Sequence, residues 1–346
     1  MKKIGFTCAY APVPLIEAAG FSPFRVFPES KASDQAGHLL HDNLCPHVKR
    51  VLDRALDDDL PELEGMVFIN SCDSMRRLAD AWHEARPDDK TIVIDLPSSV
   101  PNLSIDFLAK EYERLAKALF DWNNEIFSLE SIKEKIDTWN LLGSSVKKIE
   151  ETMSNQYFPG YSSGLQKIIN TAATDSTNKA LLMANNHLEP KVPSKSELAP
   201  VFIFGNLLFD PKVYDLFEEW NMHVTASDFC TTSRFITPID INSDNNIFKS
   251  LAISYFNKTA CARTMDTTKP GDIAHNIVRQ AKKSNAKGVI GFTLKFCDPY
   301  LARVPMIRQA LQKESIPFLM LEGDCTMGSM GQQQTRIEAF TEMLGV

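Results

Sequence analysis

The groups best able to do chemistry in this chain are its seven cysteines, at positions 8, 45, 72, 230, 261, 297 and 325. As a thiol, cysteine packs like a small apolar residue; as a thiolate it is a nucleophile and a metal ligand. No two of them stand in a C-x-x-C pair, so the common zinc and ferredoxin spacings are missing and any metal centre has to be assembled from distant parts of the chain. An odd count, in a chain of 346 residues that needs no covalent staples, argues against a disulfide framework.

The contexts of these thiols repeat. Gly65-Met-Val-Phe-Ile-Asn-Ser runs into Cys72-Asp73, and Gly288-Val-Ile-Gly-Phe-Thr-Leu-Lys-Phe runs into Cys297-Asp298. Each apolar run is followed by an amphipathic stretch and a second apolar run, over residues 64–97 and 287–324, which is the pattern of a β-α-β crossover with parallel strands. Ligands of open parallel sheets sit at the carboxyl ends of the strands, so both thiols face a potential site rather than the core. Asp73 and Asp298 read as helix N-caps, but cysteine has no comparable capping role and its recurrence asks for another reason.

The other thiols occupy similar places. Residues 2–10 read as a strand ending near Cys8, 12–19 as a helix closed by Gly20, 24–27 as a short strand and 42–55 as a helix with Cys45-Pro46 in its first turn. A helix N-terminus is expected to lower a thiol's pKa and favour the thiolate. Residues 200–205 read as a strand, 211–220 as a helix, 223–230 as a strand ending in Cys230, 272–283 as a helix and 332–344 as a terminal helix, with Cys261 in a loop.

Between these parts the pattern is helical, from a cap at Ser104 through stretches at 128–153 and 164–184, and residues 190–200 read as a linker. The expected fold class is α/β: two Rossmann-like (flavodoxin-like) parallel-sheet domains, residues 1–103 and 199–346, joined by a helical segment and linker over 104–198. The net charge of −7, with Lys and Arg scattered, argues against a nucleic-acid partner. No apolar run approaches the ~20 residues of a membrane span, and the apolar part of residues 1–8 is too short for a lipoprotein signal, so the expected location is cytoplasmic.

Each α/β half thus offers three thiols near element ends: Cys8, Cys45 and Cys72 in one, Cys230, Cys261 and Cys297 in the other. Apolar packing explains any one of them taken singly. It does not explain six gathered where two facing domains could converge. Three thiolates are an incomplete set for tetrahedral zinc, whereas iron–sulfur clusters are commonly thiolate-held. Arg76, Arg77 and Arg234 follow cluster-type cysteines and are candidates to offset negative charge there or to form surface ion pairs; His47 is a candidate proton donor beside Cys45. The turn at 328–331 before the last helix is a candidate anion site or a structural turn, and it lacks the lysine of a G-x-x-x-x-G-K-[ST] phosphate loop, which occurs nowhere in the chain.

Several stretches together carry a family resemblance: Cys8-Ala-Tyr-Ala-Pro12 through Gly20, Cys45-Pro46, Asn70-Ser-Cys72-Asp-Ser-Met-Arg-Arg77, Asp228-Phe-Cys230-Thr-Thr-Ser-Arg234, Lys295-Phe-Cys297-Asp-Pro-Tyr300 and Glu322-Gly-Asp324. Over nearly its whole length the chain resembles the D component of 2-hydroxyacyl-CoA dehydratases, a superfamily that also contains benzoyl-CoA reductase subunits and double-cubane cluster proteins. The resemblance implies an oxygen-sensitive iron–sulfur oxidoreductase, cytoplasmic and dimeric, acting on a small-molecule substrate. It also implies a separate ATP-hydrolysing iron–sulfur activator as electron donor. ATP then serves to push an electron uphill: lowering a one-electron potential by ~300 mV costs roughly 7 kcal/mol.

Six matching thiols favour a double-cubane [8Fe-9S] cluster, with Cys8, Cys45 and Cys72 on one cubane and Cys230, Cys261 and Cys297 on the other. Cys325 stands where the family pattern is expected to hold a non-ligand aromatic residue. The first alternative is a dehydratase or benzoyl-CoA reductase subunit with a single [4Fe-4S] cluster. The second is a metal-free two-domain ligand-binding protein whose cysteines only pack.

Overall fold

Two apolar strand sets, each wound by helices, place every strand end named above on a carboxyl edge. The computed structural model describes the chain except residues 30–33, 100–101, 191, 195–196, 242–245, 260, 265–268, 270, 326–330 and 346, and the side chain at 102. The turn expected at 328–331 falls largely outside the described residues.

The first unit runs β1 (Lys3–Phe6), α1 (Val13–Ala18), β2 (Ser22–Arg25), a 3-10 turn at Ala36–His38, α2 (Pro46–Leu56), β3 (Gly65–Asn70), α3 (Asp73–Ala85) and β4 (Thr91–Asp95). Its four strands are all parallel, in the order β2-β1-β3-β4. Position in the sheet explains the burial patterns. Interior β3 is apolar and buried along nearly its whole length, while edge strand β4 alternates buried and exposed residues.

The second unit runs β5 (Ala199–Gly205), α8 (Pro211–Glu219), β6 (Met222–Asp228), α9 (Ile247–Asn257), α10 (Asp272–Lys283), β7 (Gly288–Leu294), α11 (Asp298–Leu301), α12 (Val304–Lys313), β8 (Phe318–Gly323) and α13 (Gln334–Met343). Its sheet is again parallel, β6-β5-β7-β8, so the two halves share one strand order. The expected α/β class with two Rossmann-like units is what the chain adopts.

Between them lie α4 (Asn102–Trp122), α5 (Leu129–Asn155), α6 (Tyr161–Thr174) and α7 (Thr177–His187). These helices do more than join. α4 packs on α9, α5 on α1 and β6, and α6 on β2 and α8, so that one hydrophobic cluster runs from Ile4 to Phe340 through both units. Two smaller clusters cover the outer sheet faces, one around Trp82 and one around Tyr300.

Several local expectations need correction. The helix foreseen at 164–184 is two helices, because the Ser176 side chain accepts the Lys179 N–H and restarts the chain after Thr174. Helix α4 begins before Ser104. Asp73 and Asp298 are not N-caps: Cys72 and Cys297 occupy the cap positions and the carboxylates sit one residue inside, where the helix dipole still favours them. Helix α9 was not foreseen, since its buried residues Phe248, Ser250, Leu251, Ala252, Ser254 and Tyr255 lie on more than one face and blur the period.

Candidate functional site

Parallel strands send all their carboxyl ends to one side of a sheet, and the thiols are distributed accordingly. Cys8, Cys72, Cys230 and Cys325 lie two residues past β1, β3, β6 and β8, and Cys297 three past β7. Cys45 caps α2 ahead of Pro46, and Cys261 lies in the loop after α9. All seven are unpaired and partly buried.

Thiols of the two halves meet. Cys8, Cys230 and Cys261 line one small cleft with Tyr10, Arg234 and Lys258, and the Cys8 thiol donates to Ser71 Oγ at 3.6 Å. Electrostatic coupling ties in the rest: Cys45 feels Cys297 and Cys72, Cys72 feels Cys8, Cys261 and Cys297, and Cys325 feels Cys45 and Cys230. Among the described residues no three His, Cys, Asp or Glu side chains converge closely enough to hold a single metal ion.

Burial governs the protonation of these groups. It pushes the Cys45 thiol up to about 12, with the neighbouring Cys297 and Cys72 adding to the shift. Cys72 is likewise pushed to about 12, Cys8 and Cys297 are raised, and Cys325 stands well above the ordinary thiol value, in each case chiefly through desolvation. This overturns the expectation for Cys45, because the cost of burying a thiolate exceeds what a helix N-terminus returns. Thiols in such surroundings become thiolates only when positive charge arrives to replace the proton, which is how metal-binding sulfur behaves.

Buried cations surround the sulfurs. Arg25, at the end of β2, donates from Nη1 to the Cys230 carbonyl at 2.6 Å and from Nη2 to Cys230 Sγ at 3.2 Å. Arg234 pairs with Asp228, Nε to Oδ1 at 2.9 Å, donates from Nη2 to the Gly205 and Asp228 carbonyls, and lies over the Tyr300 ring. Yet Arg25 Nε and Arg234 Nη1 are buried with no acceptor. Orphaned guanidinium N–H groups beside Cys230 fit an anionic, sulfur-rich group that supplies acceptors. Lys258 donates to the Ala9 carbonyl at 2.9 Å and stands 3.7 Å from the Tyr10 ring centre and 4.6 Å from that of Tyr255; burial lowers its pKa to about 7.

The polar candidates from sequence separate cleanly. Arg234 is at the site, whereas Arg76 and Arg77 are exposed and engage Asp73 and Asp80 in surface ion pairs. His47 is buried, and desolvation together with Arg25 depresses its pKa to about 3, so this candidate proton donor is a neutral imidazole at physiological pH. Sequence reasoning missed Arg25, Tyr10 and Lys258. Tyr10 follows Cys8 by two residues and Lys258 precedes Cys261 by three, which is the local signal available; Arg25 has none.

Comparison with known proteins places the chain in a family. The family pattern described as 2-hydroxyglutaryl-CoA dehydratase, D-component, matches residues 8–344. The chain is 24% identical over 354 aligned positions to the (R)-phenyllactyl-CoA dehydratase beta subunit of Clostridium sporogenes, covering 99% of this chain and 92% of that one. It is 22% identical to the beta subunit of lactoyl-CoA dehydratase from Anaerotignum propionicum, covering 99% and 91%, and 17% identical to a benzoyl-CoA reductase subunit of Thauera aromatica, covering 99% and 91%. With the match extending from the first cysteine to the last helix, the chain belongs to the 2-hydroxyglutaryl-CoA dehydratase D-component family, within the 2-hydroxyacyl-CoA dehydratase superfamily of enzymes.

Proposed function

We propose that this chain is the iron–sulfur component of an ATP-dependent low-potential reductase, with Cys8, Cys45, Cys72, Cys230, Cys261 and Cys297 as the ligands of a double-cubane [8Fe-9S] cluster. In this reading residues 1–103 and 199–346 are domains with the helical segment 104–198 between them, the protein works as a homodimer in the cytoplasm, and a separate ATP-hydrolysing activator delivers electrons. The observation that carries the reading is the meeting of thiols from both sheets in one cleft, beside guanidinium groups that each keep a buried N–H without an acceptor. When bound, the cluster supplies low-potential one-electron transfer. The chain's own residues supply the environment. Arg25 and Arg234 hold fixed positive charge beside Cys230, which favours added negative charge nearby, and the apolar packing around Cys8, Cys45 and Cys325 keeps water away.

The names of the relatives favour a second reading, in which the chain is a dehydratase or reductase subunit that carries one [4Fe-4S] cluster and needs a different partner subunit. Iron and acid-labile sulfide counted on anaerobically purified protein separate the two. About eight irons per chain support the double cubane, about four support the single cluster, and a colourless preparation removes both in favour of a metal-free binding protein.

A further inference from the structure

A second cleft, of about 450 Å³, opens on the carboxyl-terminal unit between α9, α10 and the residues after α11. Its charge runs against the composition of the chain. Lys269, Arg279 and Arg303 line it, opposed by the carboxylate of Asp272, in a protein of net charge −7. Among the described residues none of these three cations is in an ion pair, unlike Arg76, Arg86 and Arg114. Arg279 instead donates to Asn276 Oδ1. On the same wall Arg303 Nε and Asn276 Nδ2 are buried donors without an acceptor. Buried donors are nearly always satisfied, so two in one cleft mark where acceptor oxygens are missing.

The position of the cleft gives this chemistry a direction. Lys258, Cys261 and Thr264 line both this cleft and the small thiol-lined one, so the two share a wall at Cys261. We propose that the basic cleft binds the oxyanion group of a small carboxylate- or phosphate-bearing substrate and holds its other end toward Cys261. This inference rests on the reading of Cys261 as part of the redox site, and it adds the substrate class. Lys269 and Arg279 attract the anion from solution, and the planar Arg303 side chain, with Asn276, fixes its orientation through charge-assisted hydrogen bonds.

The test is calorimetric titration of full-length, anaerobically prepared protein with inorganic phosphate and, separately, malonate at low ionic strength, alongside an iron count. One of the two anions is expected to bind saturably, and which one distinguishes a phosphate-bearing from a carboxylate-bearing substrate. The Lys269→Gln/Arg279→Gln variant is expected to bind it at least tenfold more weakly at unchanged iron content and melting temperature, and Arg303→Gln is expected to do the same independently. Lys117→Gln, on the exposed face of α4, is expected to bind like the wild type. Saturable binding that survives all the cleft substitutions, or no saturable binding of either anion by the wild type, overturns the proposal. Iron-free protein whose anion binding still depends on Arg279 would instead defeat the cluster reading and leave the oxyanion site standing, so the two failures are distinguishable.

Discussion

At the scale of single residues, burial outweighs local position. Cys45 sits where a helix dipole stabilises a thiolate, yet its pKa is pushed up to about 12, because removing a charge from water costs more than a helix end returns. His47 shows the converse, held neutral down to about pH 3. Cysteine identity at the strand ends is therefore best tested by metal content rather than by thiol reactivity. Cys297→Ser is expected to lower iron per chain and abolish turnover; unchanged iron and turnover would take Cys297 out of the ligand set. Cys325 is partly buried and electrostatically coupled to Cys45 and Cys230, but stands outside the proposed six. Cys325→Ser is expected to leave iron content within about 10–20% of wild type, and a large drop would bring its sulfur into the set.

At the scale of elements, the site depends on close approach between strands. A Cβ on Gly205, the last residue of β5, would lie 1.8 Å from the Phe292 carbonyl oxygen of β7 and 2.6 Å from the Phe229 ring, and the Gly205 carbonyl accepts from Arg234. Both obstacles are rigid. Gly205→Ala is expected to destabilise the protein by roughly 2–3 kcal/mol, read as a fall in the urea midpoint, and to disturb the Arg234 position. On β6, His223 packs edge-on against Tyr157 with ring centres 5.1 Å apart, and burial lowers its pKa from 6.5 to about 4. The unfolded chain takes up this proton below pH 6.5 while the folded chain resists until about pH 4, so stability falls as pH drops through that window. His223→Gln is expected to flatten this part of the acid limb in a pH series of melting curves; an unaltered limb would show that His223 does not set it.

At the scale of the whole molecule, the two α/β units are fused through their helices. Phe6 stacks on Phe235 with ring centres 6.1 Å apart, Phe27 on Phe209 at 5.0 Å, and the indole N–H of Trp139 on α5 donates to the Thr237 carbonyl at 2.8 Å. Glu17 on α1 accepts the Thr177 N–H of α7 at 2.7 Å. Because one apolar cluster passes through both units, urea unfolding of the metal-free chain is expected to show a single transition by fluorescence and circular dichroism alike. Residues 1–103 expressed alone would expose the faces that α5 and α6 cover, and are expected to lack a cooperative transition. Two separated transitions, or a cooperatively folding fragment, would mean that the halves are stable without the helices between them.

Periodicity and short motifs by themselves determined the duplicated strand–helix–strand pattern and the placement of thiols just beyond the strand ends, because parallel strands declare themselves through local apolar runs such as Gly65–Asn70 and Gly288–Leu294. Chain order likewise made Cys45 a helix-start residue. Tertiary structure alone decided which charges stand beside the sulfurs. Arg25 reaches Cys230 across 205 positions of chain, and Lys258 reaches Ala9 across 249. It also decided that Arg76 and Arg77 face water, that α9 is a helix despite its blurred period, and that the Cys45 and His47 protons are set by desolvation. The physical reason is one of range: dihedral preference and apolar period are written in neighbouring residues, whereas burial and electrostatic environment depend on which remote segments pack against a group.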